Sequence, residues 1–194
     1  MRNAFFIDRD GVLNKMVYDE VHGLMDSPRL PEQVQIMKGA GQFLRQIRDL
    51  GYLITVVTNQ PGLAKGTLTL PNLTAVNLCL AERLARDGGR WDDMKICPHH
   101  PDHMQAPCDC RKPLPGLLLA AARDDEIDLS KSWMMGDGLT DVQAGRAAGC
   151  RTILFTTLKL EQISEFFRLD CRPDVIAGRF EDVIPRMRLV GGIA

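Results

Sequence analysis

Short, continuous apolar runs such as YLITVV constrain the fold of this chain more than any other feature of its sequence. Such runs suit parallel strands covered on both faces, whereas strands with one wet face alternate apolar and polar residues. Segments with helical spacing of apolar residues separate the runs, which predicts a three-layer α/β fold with a parallel sheet. The predicted strands are 3–7, 52–58, 94–97, 132–136, 151–156 and 174–177.

The segments between these runs carry the apolar spacing of amphipathic helices. In the first segment, Phe43, Leu44 and Ile47 share one helical face, and Gly51 provides a stop. The predicted helices are 39–51, 71–89, 114–125 and 140–149. The remaining stretches are expected to be irregular and to line one end of the sheet. These stretches are 14–37, 59–70 and 97–115.

Chain length and charge limit the class of protein. The 194 residues suit one domain that spans 1–194 and has its own core. The net charge of −1 gives no general attraction to nucleic acid or to an anionic membrane. No apolar run approaches the roughly 20 residues that span a bilayer, and the first run is too short for a secretory signal. We therefore expect a cytoplasmic monomer whose partner is a small molecule, with no nucleic acid and no membrane.

Two aspartates directly follow the first predicted strand, in the stretch FFIDRDGVLN. In open α/β sheets, ligands bind just beyond the carboxyl ends of strands, which is where Asp8 and Asp10 lie. Residues i and i+2 of an extended chain point the same way, so both carboxylates can face one site. Gly11 then permits a sharp turn or a close backbone approach. Taken alone, the stretch is also compatible with a solvated turn, where Asp and Gly are common.

Three later stretches supply further polar groups at the same edge of the sheet. They are TNQ with Thr58 and Asn59, CRKP with Arg111 and Lys112, and GDGLTD with Asp137 and Asp141. Each stretch alone is typical of a turn or a helix cap. Together, the carboxylates suit a hard cation such as Mg²⁺, and the hydroxyl and the lysine suit the oxygens of a phosphoryl group.

With these four motifs in this order, the chain resembles the haloacid dehalogenase (HAD) superfamily of aspartate-nucleophile phosphatases. The resemblance implies a Rossmann-like αβα fold and an aspartyl-phosphate formed on Asp8. It implies that Asp10 is the general acid and then the base, and that Thr58 and Lys112 bind the transferring phosphoryl group. It also implies a Mg²⁺ ion held by Asp8, by the backbone carbonyl of Asp10 and by Asp137.

Cysteines and histidines cluster in the stretch CPHHPDHMQAPCDC. Three thiolates and one imidazole form a complete tetrahedral set for Zn²⁺. The expected ligands are Cys97, His99, Cys108 and Cys110, with His100 and His103 as competing imidazoles. Thiolates suit zinc and suit magnesium badly, so we expect a second metal with a structural role. The alternative is a loop with spare thiols and no metal.

The stretches ICPHHP and CDCRKP look like those of two groups of HAD phosphatases that have a zinc loop and no cap domain. These are the heptose bisphosphate phosphatases of lipopolysaccharide precursor synthesis and the histidinol-phosphate phosphatases. No cap domain is expected here either. The resemblance favours hydrolysis of the 7-phosphate of D-glycero-D-manno-heptose 1,7-bisphosphate, with Arg111 and Asn59 binding substrate. Histidinol phosphate or another small monophosphate is the alternative.

The chain departs from the heptose enzymes in the longer segment 15–31, at Gly138 and in a shorter zinc loop. Within that segment, Tyr18, Asp19 and His22 are either substrate contacts or a solvated loop. A nucleic-acid 3′-phosphatase would need a basic groove interleaved with aromatics, and only 6% of the residues are aromatic. A non-catalytic zinc module would not need the acids at the strand ends.

Overall fold

A parallel sheet forms the frame of the protein. The computed structural model describes residues 1–20, 23–103, 106–156 and 171–191. The strands are β1 (Ala4–Ile7), β2 (Val17–Asp19), β3 (Leu24–Asp26), β4 (Leu53–Asn59), β5 (Asp93–Cys97), β6 (Trp133–Gly136), β7 (Arg151–Phe155) and β8 (Val175–Ala177). Within these described residues, six strands form one parallel sheet in the order β5-β4-β1-β6-β7-β8, and β2 pairs with β3 in an antiparallel hairpin.

Helices pack on both faces of this sheet. They are α1 (Ala40–Asp49), α2 (Gly62–Lys65), α3 (Leu70–Ala85), α4 (Gly116–Asp125), α5 (Leu139–Ala148) and α6 (Phe180–Leu189). The predicted three-layer αβα fold with a parallel sheet is confirmed. In the part of the chain that the structure describes, no helix has the length and apolar character needed to cross a membrane.

The side chains of β1 alternate between two hydrophobic cores. Phe5 and Ile7 pack in one core with Phe43 of α1, whereas Ala4 and Phe6 pack in the other with residues of α4 and α5. This alternation is the period of two that a strand imposes. All four residues of β1 are buried, because the strand lies inside the sheet with helices on both faces. Because β1 is the third of six strands, it ends near the centre of the carboxyl edge of the sheet.

Helix α6 was not predicted from the sequence. Pro185 lies inside it, and an interior proline removes a hydrogen bond and normally breaks a helix. The burial of Phe180, Val183 and Met187 in the core compensates for the hydrogen bond lost at Pro185. The Phe180 ring stacks on Phe155 at 4.5 Å between centroids. Tertiary packing therefore forms a helix that the local sequence pattern argues against.

The segment 14–37, expected to be irregular, contains the β2–β3 hairpin and a 3₁₀ turn at Pro31–Gln33. Each strand of the hairpin has only three residues, paired from Val17 opposite Asp26 to Asp19 opposite Leu24. Much of the hairpin is exposed, and its strands are too short to show the alternation of apolar and polar residues that predicts a strand. His22 lies outside the described residues.

Candidate active site

A cavity of about 250 Å³ opens at the carboxyl edge of the sheet, where β1, β4 and β6 end. The predicted residues of the phosphoryl and magnesium sites all line it. They are Asp8, Asp10, Thr58, Asn59, Arg111, Lys112 and Asp137, together with Asp141. The parallel sheet therefore gathers side chains that are more than 100 positions apart in sequence, as between Asp8 and Lys112.

Lys112 is buried between two carboxylates at the base of the cavity. Its Nζ lies 2.8 Å from Asp8 Oδ1 and 2.6 Å from Asp141 Oδ1, and it donates to the carbonyl oxygen of Val57 at 2.8 Å. Two hydrogen bonds, to Asp8 and Val57, and an ion pair with Asp141 thus surround the ammonium group. Burial by itself favours the neutral amine, but the charges of Asp141 and Asp8 outweigh it and raise the pKa of Lys112. The lysine is therefore a permanent cation next to Asp8.

The acidic groups outnumber this cation. Burial raises the pKa of Asp8 to about 7, with Asp141 and Asp10 adding to the effect and Lys112 opposing it. Although Asp137 lies on the open side of the cavity, the loss of water around its carboxyl group and the charge of Asp141 raise its pKa to about 6. Burial and neighbouring acids thus both disfavour the ionised forms of Asp8 and Asp137, and a bound cation would favour them.

This donor set fits a magnesium ion. One oxygen from each of Asp8, Asp137 and Asp141 lies within 4.8 Å of the others. Mg²⁺ prefers oxygen ligands and commonly uses one or two carboxylates, with water completing its shell. Both oxygens of Asp141 are engaged, Oδ1 by Lys112 and Oδ2 by the N–H of Gly138, whereas Lys112 contacts only Oδ1 of Asp8. Asp8 and Asp137 are therefore the carboxylates better placed to hold an ion.

Two glycines allow the carboxylates to approach the backbone closely. Gly11 has a φ of +81°, and a Cβ at this position would lie 2.0 Å from Asp137 Oδ2. A Cβ on Gly136 would lie 2.1 Å from Cγ of Asp141. Any larger residue at either position would displace a carboxylate from the site. The expectation of a close backbone approach at Gly11 agrees with this geometry.

Four side chains donate hydrogen bonds to Asp10, and sequence reasoning missed all of them. The donors are Gln60 Nε2 at 2.7 Å, Asn14 Nδ2 at 2.8 Å, Ser27 Oγ at 2.9 Å, and Arg9, whose Nη2 lies 3.0 Å from Oδ2. Burial would raise the pKa of Asp10, but the charge of Arg9 and the hydrogen bonds from Asn14 and Gln60 outweigh it and lower the pKa. In the free protein, Asp10 is therefore a carboxylate.

One of these donors had a signal in the sequence. Arg9 is fully buried, and an arginine between two acids at the end of an apolar strand suggests a buried ion pair. Gln60 follows the TN pair that had been singled out, yet an amide in a loop is usually solvated. Ser27 lies in a segment without any pattern, so nothing in the sequence linked it to Asp10.

Thr58 and Asn59 have different structural roles at the end of β4. The Thr58 hydroxyl accepts a hydrogen bond from Gln60 at 2.8 Å, which leaves its own proton available to a ligand in the cavity. Both ends of the Asn59 amide bind the main chain of Lys112, at 3.1 Å to its N–H and 3.1 Å to its carbonyl oxygen. Asn59 therefore holds the loop that carries Lys112, a role that the sequence did not predict.

The residues of the hairpin segment that reach the cavity also differ from those expected. Met16, Asp26 and Ser27 line it. Tyr18 and Asp19 instead line a neighbouring depression of about 170 Å³. Asp19 binds Arg29 there at 2.8 Å. Of the two alternatives for Tyr18 and Asp19, the structure favours a solvated segment over substrate contact, because neither residue lines the acidic cavity.

The four predicted zinc ligands converge beside this cavity. Donor atoms of Cys97, His99, Cys108 and Cys110 all lie within 4.8 Å of one another. The Cys97 sulfur lies 3.2 Å from the Cys110 sulfur and 4.0 Å from the Cys108 sulfur. A tetrahedron with arms of about 2.3 Å has edges of about 3.8 Å, so the spacing fits a zinc ion. His100 lies outside the cluster, with its ring against His103.

The chain between the cluster and Lys112 is short and well fixed. Arg111 follows Cys110 directly, and its Nη1 donates to the carbonyl oxygen of His99 at 3.0 Å. The N–H of Gly116 donates to the carbonyl oxygen of Asp109 at 3.0 Å. Arg111 lines both the acidic cavity and an adjoining groove of about 580 Å³. Arg111 therefore lies at the border between the two.

Comparisons with known proteins agree with this geometry. A HAD-hydrolase-like family model matches residues 109–183. The D-glycero-β-D-manno-heptose-1,7-bisphosphate 7-phosphatase of Rhodopseudomonas palustris is 35% identical over 152 residues, which cover 76% of this chain and 80% of that enzyme. The enzyme of the same name from Haemophilus ducreyi is 37% identical over 155 residues, which cover 78% of this chain and 81% of that enzyme.

A solved structure of a phosphatase is similar to the whole fold of this chain. The crystal structure of the D,D-heptose 1,7-bisphosphate phosphatase from B. bronchiseptica, complexed with magnesium and phosphate, superposes with a TM-score of 0.77 at 28% identity. The match covers 97% of this chain and 98% of that one. The HAD-like fold inferred from the sequence motifs is therefore confirmed.

Proposed function

The chain belongs to the family of D-glycero-β-D-manno-heptose-1,7-bisphosphate 7-phosphatases, and we propose that it hydrolyses the 7-phosphate of this sugar bisphosphate through an aspartyl-phosphate on Asp8. Its relatives are phosphatases of the HAD group, so it is a phosphoric monoester hydrolase. The observation that carries the proposal is the contact of Asp8 with the buried cation of Lys112 at the base of the cavity.

In the first displacement, a carboxylate oxygen of Asp8 forms a bond to phosphorus, and the bond from phosphorus to the sugar oxygen breaks. Asp10, a carboxylate in the free protein, takes up one proton when the anionic substrate binds, and the sugar oxygen takes that proton as it leaves. Lys112 and the Thr58 hydroxyl donate hydrogen bonds to the phosphoryl oxygens. Splitting the reaction at Asp8 replaces one difficult displacement by two easier ones.

In the second displacement, water attacks the phosphorus and gives a proton to Asp10. The bond between phosphorus and Asp8 breaks, inorganic phosphate leaves, and Asp8 is again a carboxylate. The proton that the first displacement used is thereby returned to Asp10. Arg9, Asn14 and Gln60 hold the Asp10 carboxylate between these steps.

Two metals complete the proposal. Asp8, Asp137 and the backbone carbonyl of Asp10 would hold Mg²⁺, which when bound neutralises charge on the phosphoryl oxygens. The four residues of the cysteine and histidine cluster would hold Zn²⁺, with no position open for a substrate. Such a zinc ion would fix the chain that leads through Arg111 to Lys112. The oxygen-only and sulfur-rich donor sets support two different ions.

The place of Arg111 supports a substrate with a second phosphate. Arg111 lines both the acidic cavity and the adjoining groove, and its Nη1 donates to the carbonyl oxygen of His99. Bidentate recognition of phosphate is a task for which arginine is well suited. We assign the phosphate at the other end of the sugar to this residue.

The substrate proposal is tested by measuring phosphate release with Mg²⁺ over a panel of esters. The panel contains both anomers of heptose 1,7-bisphosphate, histidinol phosphate, sugar monophosphates and a 3′-phosphorylated oligonucleotide. We expect kcat/KM for a heptose bisphosphate to exceed that of the monophosphates by about 10- to 100-fold. One charge-assisted hydrogen bond to the second phosphate, worth about 1.5–3 kcal/mol, accounts for that factor.

The matched variants in this panel are Asp8→Asn, in the cavity, and Asp87→Asn, the same change at an exposed position in the turn that follows α3. Asp8→Asn should abolish release from every ester, and Asp87→Asn should not change it. Release that survives in Asp8→Asn would contradict the role of Asp8. A preference for histidinol phosphate would contradict the proposed sugar substrate but would remain consistent with the aspartyl-phosphate mechanism.

Magnesium affinity should depend on pH. In the metal-free protein Asp8, with its pKa raised to about 7, and Asp137, with its pKa raised to about 6, hold protons in mildly acidic solution. A cation must displace these protons, so the affinity should rise by about tenfold or more from pH 5.5 to pH 7.5. Thermal shifts recorded during Mg²⁺ titrations at several pH values measure this change. An affinity that is independent of pH would contradict the assigned ligands.

Zinc removal should weaken both the fold and the rate. Burial raises the pKa of the Cys97 and Cys110 thiols, so their ionisation depends on a bound cation. Cys108→Ser should lower the zinc content from about one ion per chain to nearly none. It should also lower Tm by several degrees and kcat by about tenfold or more, because Lys112 loses its support.

The matched control for zinc is Cys79→Ser, the same change at a half-buried cysteine outside the cluster. Metal analysis, thermal unfolding and phosphate release are measured on both variants. Cys79→Ser should keep its zinc and its rate. A Cys108→Ser protein with normal zinc, or with no zinc and full activity, would refute the proposed link to Lys112.

A further inference from the structure

The hydroxyl of Ser27 joins the β2–β3 hairpin to the catalytic carboxylates. Ser27 follows β3 directly and lines the cavity, and its Oγ donates to Asp10 Oδ2 at 2.9 Å. On the basis of the proposed function, in which Asp10 is the acid and then the base, we propose that Ser27 is a positioning residue. It directs the carboxyl group of Asp10 towards the leaving oxygen of the substrate.

The other three donors to Asp10 belong to the frame of the sheet. Arg9 is the neighbouring residue at the end of β1, and Asn77 of α3 accepts from its Nη1 at 2.8 Å. Asn14 forms backbone bridges with Asp10 and with Ile36. Gln60 follows β4, and its N–H donates to the carbonyl oxygen of Cys97 at 2.7 Å. Each donor is therefore held in place independently of the hairpin.

Ser27, by contrast, is held by the hairpin. Its N–H donates to Asp26 Oδ1 at 2.8 Å. The other carboxylate oxygen of Asp26 lies 2.6 Å from Arg29 Nη2, which also binds Asp19 of β2 at 2.8 Å. Arg29 thus clamps both strands, and the clamp fixes the residue next to Ser27. A continuous chain of polar contacts runs from the hairpin to Asp10.

The need for such a contact follows from the freedom of a carboxyl group. Rotation about the last torsion of an aspartate is broad, so the carboxyl plane is set by its hydrogen bonds. Arg9 binds both oxygens of Asp10 from the buried side, and Gln60 binds Oδ2 from β4. Ser27 approaches from the hairpin, on a separate part of the cavity wall. Without it, the frame donors alone would set the plane, and proton donation depends on that geometry.

The test compares two esters that differ in their need for an acid. Phenyl phosphate loses a basic phenolate that needs a proton, whereas p-nitrophenyl phosphate loses a stable anion that leaves without one. We expect Ser27→Ala to lower kcat/KM for phenyl phosphate by about five- to tenfold and for p-nitrophenyl phosphate by about twofold or less. Ser27→Thr keeps a hydroxyl and should restore phenyl phosphate hydrolysis to within about twofold of the wild type.

The matched control is Ser130→Ala, which removes a hydroxyl that also donates to an aspartate, Asp128, at an exposed position. It should leave both esters unaffected, and thermal unfolding should show that each variant is folded. If Ser27→Ala lowers kcat/KM equally for the two esters while the wild type is active, the positioning role of Ser27 is wrong but the proposed function stands. A wild type that hydrolyses no phosphate ester with Mg²⁺ would overturn the proposed function, and this inference with it.

Discussion

The contact of buried Lys112 with Asp8 and Asp141 is the interaction on which the site depends. A charged lysine in the interior is unfavourable unless it is paired and hydrogen-bonded. Here Lys112 donates to Asp8 and to the carbonyl oxygen of Val57 and forms an ion pair with Asp141. In spite of this cation, burial and neighbouring acids raise the pKa values of Asp8 and Asp137, and a bound divalent cation would favour their ionised forms. A fixed positive charge beside carboxylates that can hold a metal ion is the arrangement that the proposed phosphoryl transfer requires.

The rest of the structure holds this lysine in place. Asn59 binds both polar groups of its main chain, and the cysteine and histidine cluster fixes the segment just before it. Gly136 leaves the space that Asp141 occupies. The sheet order brings β4 and β6 to either side of β1, so the acids and the donors reach the cavity from neighbouring strand ends. The cysteine and histidine cluster, the sheet and the cavity are thus linked through a few contacts.

The sequence predicted the features that depend on local pattern. Buried parallel strands are continuous apolar runs, and the residues after them could be assigned to one edge of the sheet before the structure was known. Contacts that depend on the folded chain were not predicted. Ser27 reaches Asp10 through a short exposed hairpin, Asn59 binds a main chain 53 positions away, and α6 contains a proline. Such contacts need three-dimensional information that no local pattern carries.

The central claim is that Asp8, held beside Lys112, receives the phosphoryl group. The most direct measurement mixes the protein with a heptose bisphosphate and Mg²⁺, quenches it in acid before one turnover is complete, and locates the added mass by peptide mass spectrometry. We predict one phosphoryl group on Asp8, with Asp10 and Asp137 unmodified. Release of phosphate with no phosphorylated Asp8 at any quench time, or a phosphoryl group on another residue, would contradict the account.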